Sequence, residues 1–183
     1  MAATQRKVIV RRFTGGLLSG YLPLSAFVRD DTHTPALDLL DLSGRIVPLS
    51  LDDIKMISYV RDFNLTDTAN PERLTRRTFL ARPRNEGLWL RMTFRTGDLL
   101  EGLAPTDLSL LNNVIEDIGL HLIPPDTRSN AQRIFVPRSA ITDLQLIAVI
   151  TSPSRKKPLP AAEVPSLQES LFDAPLPPNT RPN

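Results

Sequence analysis

Short runs of apolar residues, rich in Val, Ile, Leu and Phe and broken by glycine- or proline-bearing turns, follow one another along most of the chain. Such runs predict β-strands rather than helices. Five are expected in the first third: Lys7–Phe13, Leu17–Val28, Leu37–Asp41, Arg45–Leu49 and Lys55–Val60, with Ser43-Gly44 as a tight turn between the third and fourth. Asp62 to Pro71 reads as a linker, with a helical turn near Pro71–Leu74, and Arg77 to Arg82 as a further strand. Beyond it the pattern predicts strands at Trp89–Arg95, Leu120–Ile123, Gln132–Val136 and Thr142–Val149. One helix interrupts them. Leu111, Val114, Ile115 and Ile118 keep helical spacing, with Thr106 or Asp107 as N-cap and Gly119 just past the end.

The chain repeats itself. Thr14-Gly15-Gly16-Leu17-Leu18-Ser19-Gly20 returns as Thr96-Gly97-Asp98-Leu99-Leu100-Glu101-Gly102, each time after a strand. Ile46-Val47-Pro48 is echoed by Phe135-Val136-Pro137 ahead of the last strand of each half. Gly15 and Gly97 fall where a hairpin reverses and a positive φ is needed. Gly20 and Gly102 fall inside the next strand, where a missing side chain lets the strand bend or another backbone approach. Two copies of one strand order are therefore expected, at residues 1–63 and 88–150, joined by a basic linker at 64–87.

Composition narrows the functional classes. Among 183 residues there is no cysteine, which removes disulfides and thiolate chemistry and fits a reducing, cytoplasmic setting. A formal net charge of +2 is too small for nucleic acid to be held by bulk charge alone. The N-terminus has no apolar signal region, and the run Leu144 to Ile150 is far shorter than a membrane-spanning helix, so no membrane is expected. Eight of the 17 prolines lie beyond residue 150, so residues 151–183 are expected to be a disordered tail.

The chemistry of an enzyme is missing from the pattern. His33 lies in a polar loop and His121 alternates with Leu120 and Leu122, which predicts that it faces solvent. Neither has a second ligand at metal spacing, so no metal and no cofactor is expected. Gly97 to Gly102 has the glycine spacing of a phosphate loop without its Lys-Ser/Thr, and fits a hairpin better. Asp52-Asp53 reads as a solvated pair in a turn.

Phe94-Arg95-Thr96-Gly97-Asp98-Leu99-Leu100-Glu101-Gly102 resembles the first motif of the Sm-like (Hfq-type) small barrels, and Val136-Pro137-Arg138-Ser139-Ala140-Ile141 resembles their second. The resemblance covers about residues 7–63 and 88–150. It implies a mainly β protein of two tandem Sm-like five-stranded small barrels, with a short helix inserted in the second and a disordered C-terminal tail. It also implies RNA binding and pairing through barrel edge strands, either as homo-oligomers in a ring or with the two units closed on each other as a pseudo-dimer. Arg138 and Ser139 stand where the RNA chaperone of that family has lysine and histidine, so its own RNA pocket is not carried over. The chain is also similar to an uncharacterised bacterial family through Ile54–Phe63 and Pro124–Val136.

Three functional readings stand side by side. The leading one is binding of RNA or single-stranded nucleic acid by arginines at Arg73, Arg76, Arg77, Arg82 and Arg84, with Phe79 among them. A second group is Arg128, Arg133 and Arg138 with Phe135. Arginine forks bind phosphate bidentately and aromatic rings stack on bases. The bland counterpart is a solvated arginine-rich linker and a core phenylalanine. Next, Arg73-x-x-x-Arg77 with Asp107-x-Ser109-x-x-Asn112 is similar to the PilZ pattern for cyclic di-GMP, although Asn112 replaces its final glycine. Last, Gln168-Glu169-Ser170-Leu171-Phe172 resembles the pentapeptide that docks bacterial proteins on the sliding clamp. Gln168, Leu171 and Phe172 would then recruit a protein partner.

Overall fold

A computed structural model of the chain describes residues 5–23, 36–73, 76–107, 110, 118–126 and 128–151. Ten strands account for most of them: β1 Gln5–Arg12, β2 Leu17–Pro23, β3 Ala36–Asp41, β4 Ile46–Ser50, β5 Ile54–Val60, β6 Gly87–Phe94, β7 Leu99–Ala104, β8 Gly119–Leu122, β9 Ala131–Pro137 and β10 Ile141–Ile150. The protein is mainly β, as the pattern of apolar runs predicts. The expected helix after Thr106 falls almost wholly on residues outside the described set, as does the tail beyond Thr151.

The strands form two antiparallel sheets, neither of them closed. One has seven strands in the order β4-β3-β2-β1-β5-β9-β8, the other three in the order β10-β6-β7. The first five strands thus occupy one end of the large sheet. Of the last five, β8 and β9 extend that sheet past β5, while β10, β6 and β7 stand apart. An isolated bridge between Leu103 and Ile123 ties β7 to the residue after β8, with both backbone hydrogen bonds made (3.0 and 2.9 Å).

Glycine fixes the hairpins as local sterics demand. Gly15 and Gly97 have φ of +89° and +82° in the β1–β2 and β6–β7 turns. Gly20 and Gly102 serve close approach: a Cβ on Gly20 would lie 2.4 Å from the Leu40 carbonyl oxygen, and one on Gly102 2.8 Å from Leu122 Cβ. The next strand crosses each glycine at a distance that no other residue tolerates. A 3-10 turn links β4 to β5 at Leu51–Asp53, and another links β9 to β10 at Arg138–Ala140. Pro48 lies within β4 whereas Pro137 closes β9, so the two prolines of the sequence echo hold different strand positions.

Burial follows the sheet rather than the sequence halves. Val8, Val10, Leu22, Leu37, Leu39, Ile54 and Ile57 make one apolar cluster, and Phe135 from β9 completes it. Met92, Phe94, Leu100, Leu122, Ile134 and Val136 make a second, against which Phe13 and Met56 pack from the first half. Each fully buried Leu or Ile contributes about 1.5–3 kcal/mol relative to exposure. Exchanging side chains across the β5–β9 pairing therefore binds the two halves energetically.

Three expectations need correction. Arg77 to Arg82 is not a strand. The segment runs beside β7, with the Glu101 amide donating to the Arg77 carbonyl (2.6 Å) and the Phe79 amide donating to the Glu101 carboxylate (2.9 Å). One backbone bond and one buried carboxylate, both from Glu101, hold this segment in place of a strand ladder. His121 does not face solvent: it is 7% exposed, with Phe135 and Tyr59 rings at 4.9 and 6.2 Å. Both faces of β8 are covered, so alternation alone misplaces it. The Pro71–Leu74 helical turn is not seen through its described residues. Arg73 is left-handed there, at φ +43°.

Candidate functional site

Two basic cavities flank the linker, and they differ in how their charge is balanced. The larger, about 410 Å³, is lined by Arg11, Arg12, Lys55 and Arg77 over Met56 and Phe94. Each of these cations has an acid. Arg11 grips Glu72 through two bonds (2.8 and 2.6 Å), and Glu72 is 1% exposed. Arg12 lies 3.7 Å from Asp53. Lys55 and Arg77 both reach Asp98, Arg77 at 3.3 Å. The hydrogen bond from Lys55 is the main reason that the Asp98 carboxyl sits below the usual carboxylate range. This cavity is a set of ion pairs, two of which, Arg11–Glu72 and Arg77–Asp98, tie the linker to the strands and turns around it.

The smaller cavity, about 270 Å³, is lined by Arg61, Asp62, Asn64, Arg73, Arg128, Ser129 and Asn130. Three arginines meet one acid here, and that acid, Asp62, lies 3.7 Å from Lys7. Among the described residues neither Arg73 nor Arg128 has an ion-pair partner. Asn64 is 7% exposed, accepts from Thr66 Oγ1 at 3.3 Å, and keeps a buried amide nitrogen with no acceptor among the described residues. A buried donor without an acceptor costs about 1–3 kcal/mol unless something else supplies one.

The backbone around this cavity is strained. Asn64 (φ +48°) and Arg73 (φ +43°) are the non-glycine residues in the left-handed region among the described residues, and both line it. Asparagine visits that region at little cost; for arginine it costs about 1–2 kcal/mol. The strain has a visible cause. Arg11 anchors Glu72 from β1, while Asn130 anchors the same turn from the β8–β9 loop. The Asn130 amide donates to the Glu72 carbonyl (3.1 Å), its side chain donates to the Asp62 (2.6 Å) and Pro71 (2.8 Å) carbonyls, and its Oδ1 accepts from the Asp62 amide (3.0 Å). Held at both ends, the turn leaves Arg73 one conformation. Strain of this kind collects at ligand sites.

The expected arginines thus part company. Arg73 and Arg128 come together, joined by Arg61, which the sequence reading did not single out. Arg76 pairs with Asp126 (3.7 Å) and Arg77 belongs to the larger cavity. Arg82 and Arg84 are exposed. Arg133 is half-buried on β9 opposite Tyr59, and Arg138 donates to the Ile141 carbonyl (3.3 Å) in the 3-10 turn before β10. The aromatic partners are also used up. Phe135 is 1% exposed, and Phe79 packs edge-on against Trp89 at 5.6 Å. Arg73 and Arg77 line different cavities, while Ser109 and Asn112 lie outside the described residues, as do His33, Gln168, Leu171 and Phe172.

Glu72 and Asn130 are not legible in the sequence because their partners, the Arg11 guanidinium and the Asp62 and Pro71 backbones, lie about 60 residues away along the chain, and Asn64 because its part is a left-handed backbone and a buried amide. A signal existed, though. Ile54–Phe63 carries Arg61 and Asp62, and Pro124–Val136 carries Arg128, Ser129 and Asn130. These are the segments that resemble an uncharacterised family, and they meet at this cavity.

The model of a family of unknown function, DUF6982, matches residues 4–148. The chain belongs to that family. The match spans every described strand except the last two residues of β10, so both cavities lie within the family's region. No curated protein and no solved structure matches the chain. Among the described residues no group of three acidic or histidine side chains is placed to hold a metal, and no helix is long and apolar enough to cross a membrane.

Proposed function

We propose that this protein is a non-enzymatic, cytoplasmic nucleic-acid-binding protein whose ligand is single-stranded RNA. The smaller cavity takes one backbone phosphate. The observation that carries the reading is the meeting of Arg73 and Arg128, free of carboxylate partners among the described residues, beside the buried Asn64 amide. Guanidinium forks and an amide donor suit phosphate oxygens, and the walls are held rigid by Asn130. Exposed Arg82 and Arg84 would add sequence-independent contacts to a polymer that a single free phosphate would not use.

The scaffold in this proposal is a tandem of two Sm-like five-strand units. Its support is the strand order: β1 to β5 run 4-3-2-1-5, and β6 to β10 follow the same plan once the Leu103–Ile123 bridge is counted. The bulge also recurs. Pairing slips at Lys55, between Ile54 and Met56, and again at Thr142, between Ile141 and Asp143.

Fluorescence anisotropy with a labelled single-stranded RNA at rising salt tests the function. Binding should weaken with salt, and Arg73→Ala with Arg128→Ala should flatten the logarithmic salt slope by roughly 1.4 if each removes one phosphate contact. Absence of binding at low salt, or an unchanged slope in the double variant, refutes it.

A further inference from the structure

The larger cavity is lined by both glycine-turned hairpins. Gly15, Gly16 and Leu17 come from the first, and Phe94, Leu99 and Leu100 from the second. Met56 extends the apolar part of the lining. The volume of about 410 Å³ falls within the roughly 300–1,000 Å³ of small-molecule pockets.

Because its cations are matched, this cavity offers little to a phosphate. Four positive side chains meet the three carboxylates Asp53, Glu72 and Asp98. What stays open is of another kind. Arg12 keeps a buried Nε with no partner among the described residues, Asp53 lying 3.7 Å from its Nη1. Asn70 lines the same cavity, is exposed, and carries a donor and an acceptor on one carboxamide. A planar, uncharged group with apolar faces and polar edges matches this set. A nucleobase is such a group, and arginine and asparagine are side chains that pair with base edges.

The two cavities adjoin along the linker. Glu72 lines the larger and Arg73, the next residue, lines the smaller, so their walls share a step of about 3.8 Å between Cα atoms. We propose that the larger cavity takes an unpaired base of the same strand whose phosphate occupies the smaller one. The inference rests on the RNA reading and adds to it a second subsite. A base and its phosphate hang from one sugar, so a strand crossing this turn can fill both sides. Neither Arg138 nor Ser139 lines the larger cavity, so this subsite is not the pocket of the Sm-like RNA chaperone.

Methyl-labelled methionine in the full chain gives a direct readout by NMR. Met56 lines the cavity, whereas Met92 is fully buried in the second apolar cluster and serves as the reference. Adenosine or uridine, neither of which carries a phosphate, should shift the Met56 methyl and leave Met92 in place. Two variants at exposed positions of the lining then test the subsite in RNA binding. Leu99 is 46% exposed, so Leu99→Trp fills the cavity without opening the core, and Asn70→Ala removes the carboxamide. Each should weaken single-stranded RNA binding about five- to tenfold, the order of one lost base contact, and leave the salt slope unchanged. A Met56 methyl indifferent to both nucleosides would overturn the proposal, as would one that responds equally to inorganic phosphate. RNA binding at full strength by both variants would also overturn it and leave the phosphate site standing. A Met56 response in a protein that binds no RNA would support the base site and refute the proposed function.

Discussion

The two cavities beside the linker are built from the same residue type and do opposite things with it. In the larger one, Arg11, Arg12, Lys55 and Arg77 are each matched to a carboxylate, and the product is attachment. In the smaller one, Arg73 and Arg128 have no ion-pair partner among the described residues, the one acid of the lining, Asp62, lying 3.7 Å from Lys7, and the backbone is held in a costly conformation. An arginine count cannot separate these cases. What separates them is whether the fold supplies the counter-charge, because a matched guanidinium has already used the attraction that an unmatched one still offers to phosphate.

The largest effect should come from breaking the matched cavity. Arg11→Ala leaves the buried Glu72 carboxylate unpaired and should cost about 3–5 kcal/mol in urea denaturation. Asn130→Ala removes the bonds that clamp the Asp62 and Pro71 backbones. It should cost about 2–3 kcal/mol and weaken RNA binding in the fraction that remains folded, since it joins stability to site.

A pH series sharpens the comparison, because neither cavity is lined by a histidine. Burial holds the His121 pKa down to about 3, from an ordinary 6.5. The unfolded chain takes up that proton first. Stability is therefore fully present above pH 6.5 and is lost as pH falls toward 3, by about 2 kcal/mol between pH 7 and 5. His121→Leu should remove that slope in thermal or urea melts and leave the salt dependence of RNA binding at pH 7 unchanged.

The smallest stability effect belongs to the unmatched cavity. Arg73→Gly relieves the left-handed strain and should stabilise by up to about 1 kcal/mol while weakening RNA binding several-fold. A variant that lost both stability and binding would place Arg73 with the structural arginines and erase the distinction.

Much of the strand plan was legible from local chemistry. The hairpin glycines Gly15 and Gly97 and the apolar runs beside them predict β1 and β6 within two residues, the start of β2, and a strand through Gly102 where β7 lies, since turn sterics and side-chain alternation act over short distances. The misreadings share another cause. Arg77 to Arg82 looks like a strand until Glu101, far along the chain, supplies the partner for its backbone. His121 looks exposed until Tyr59 and Phe135 close over it.

The amino-acid order by itself determined that this is a cysteine-free, mainly β protein with two glycine-turned hairpins of one design, because strand periodicity and positive φ are properties of neighbouring residues. Only the tertiary structure decided which arginines are neutralised and which are not. That outcome depends on where Glu72, Asp98 and Asn130 arrive once β5 and β9 have paired, and Coulomb attraction falls with distance in space, not along the sequence.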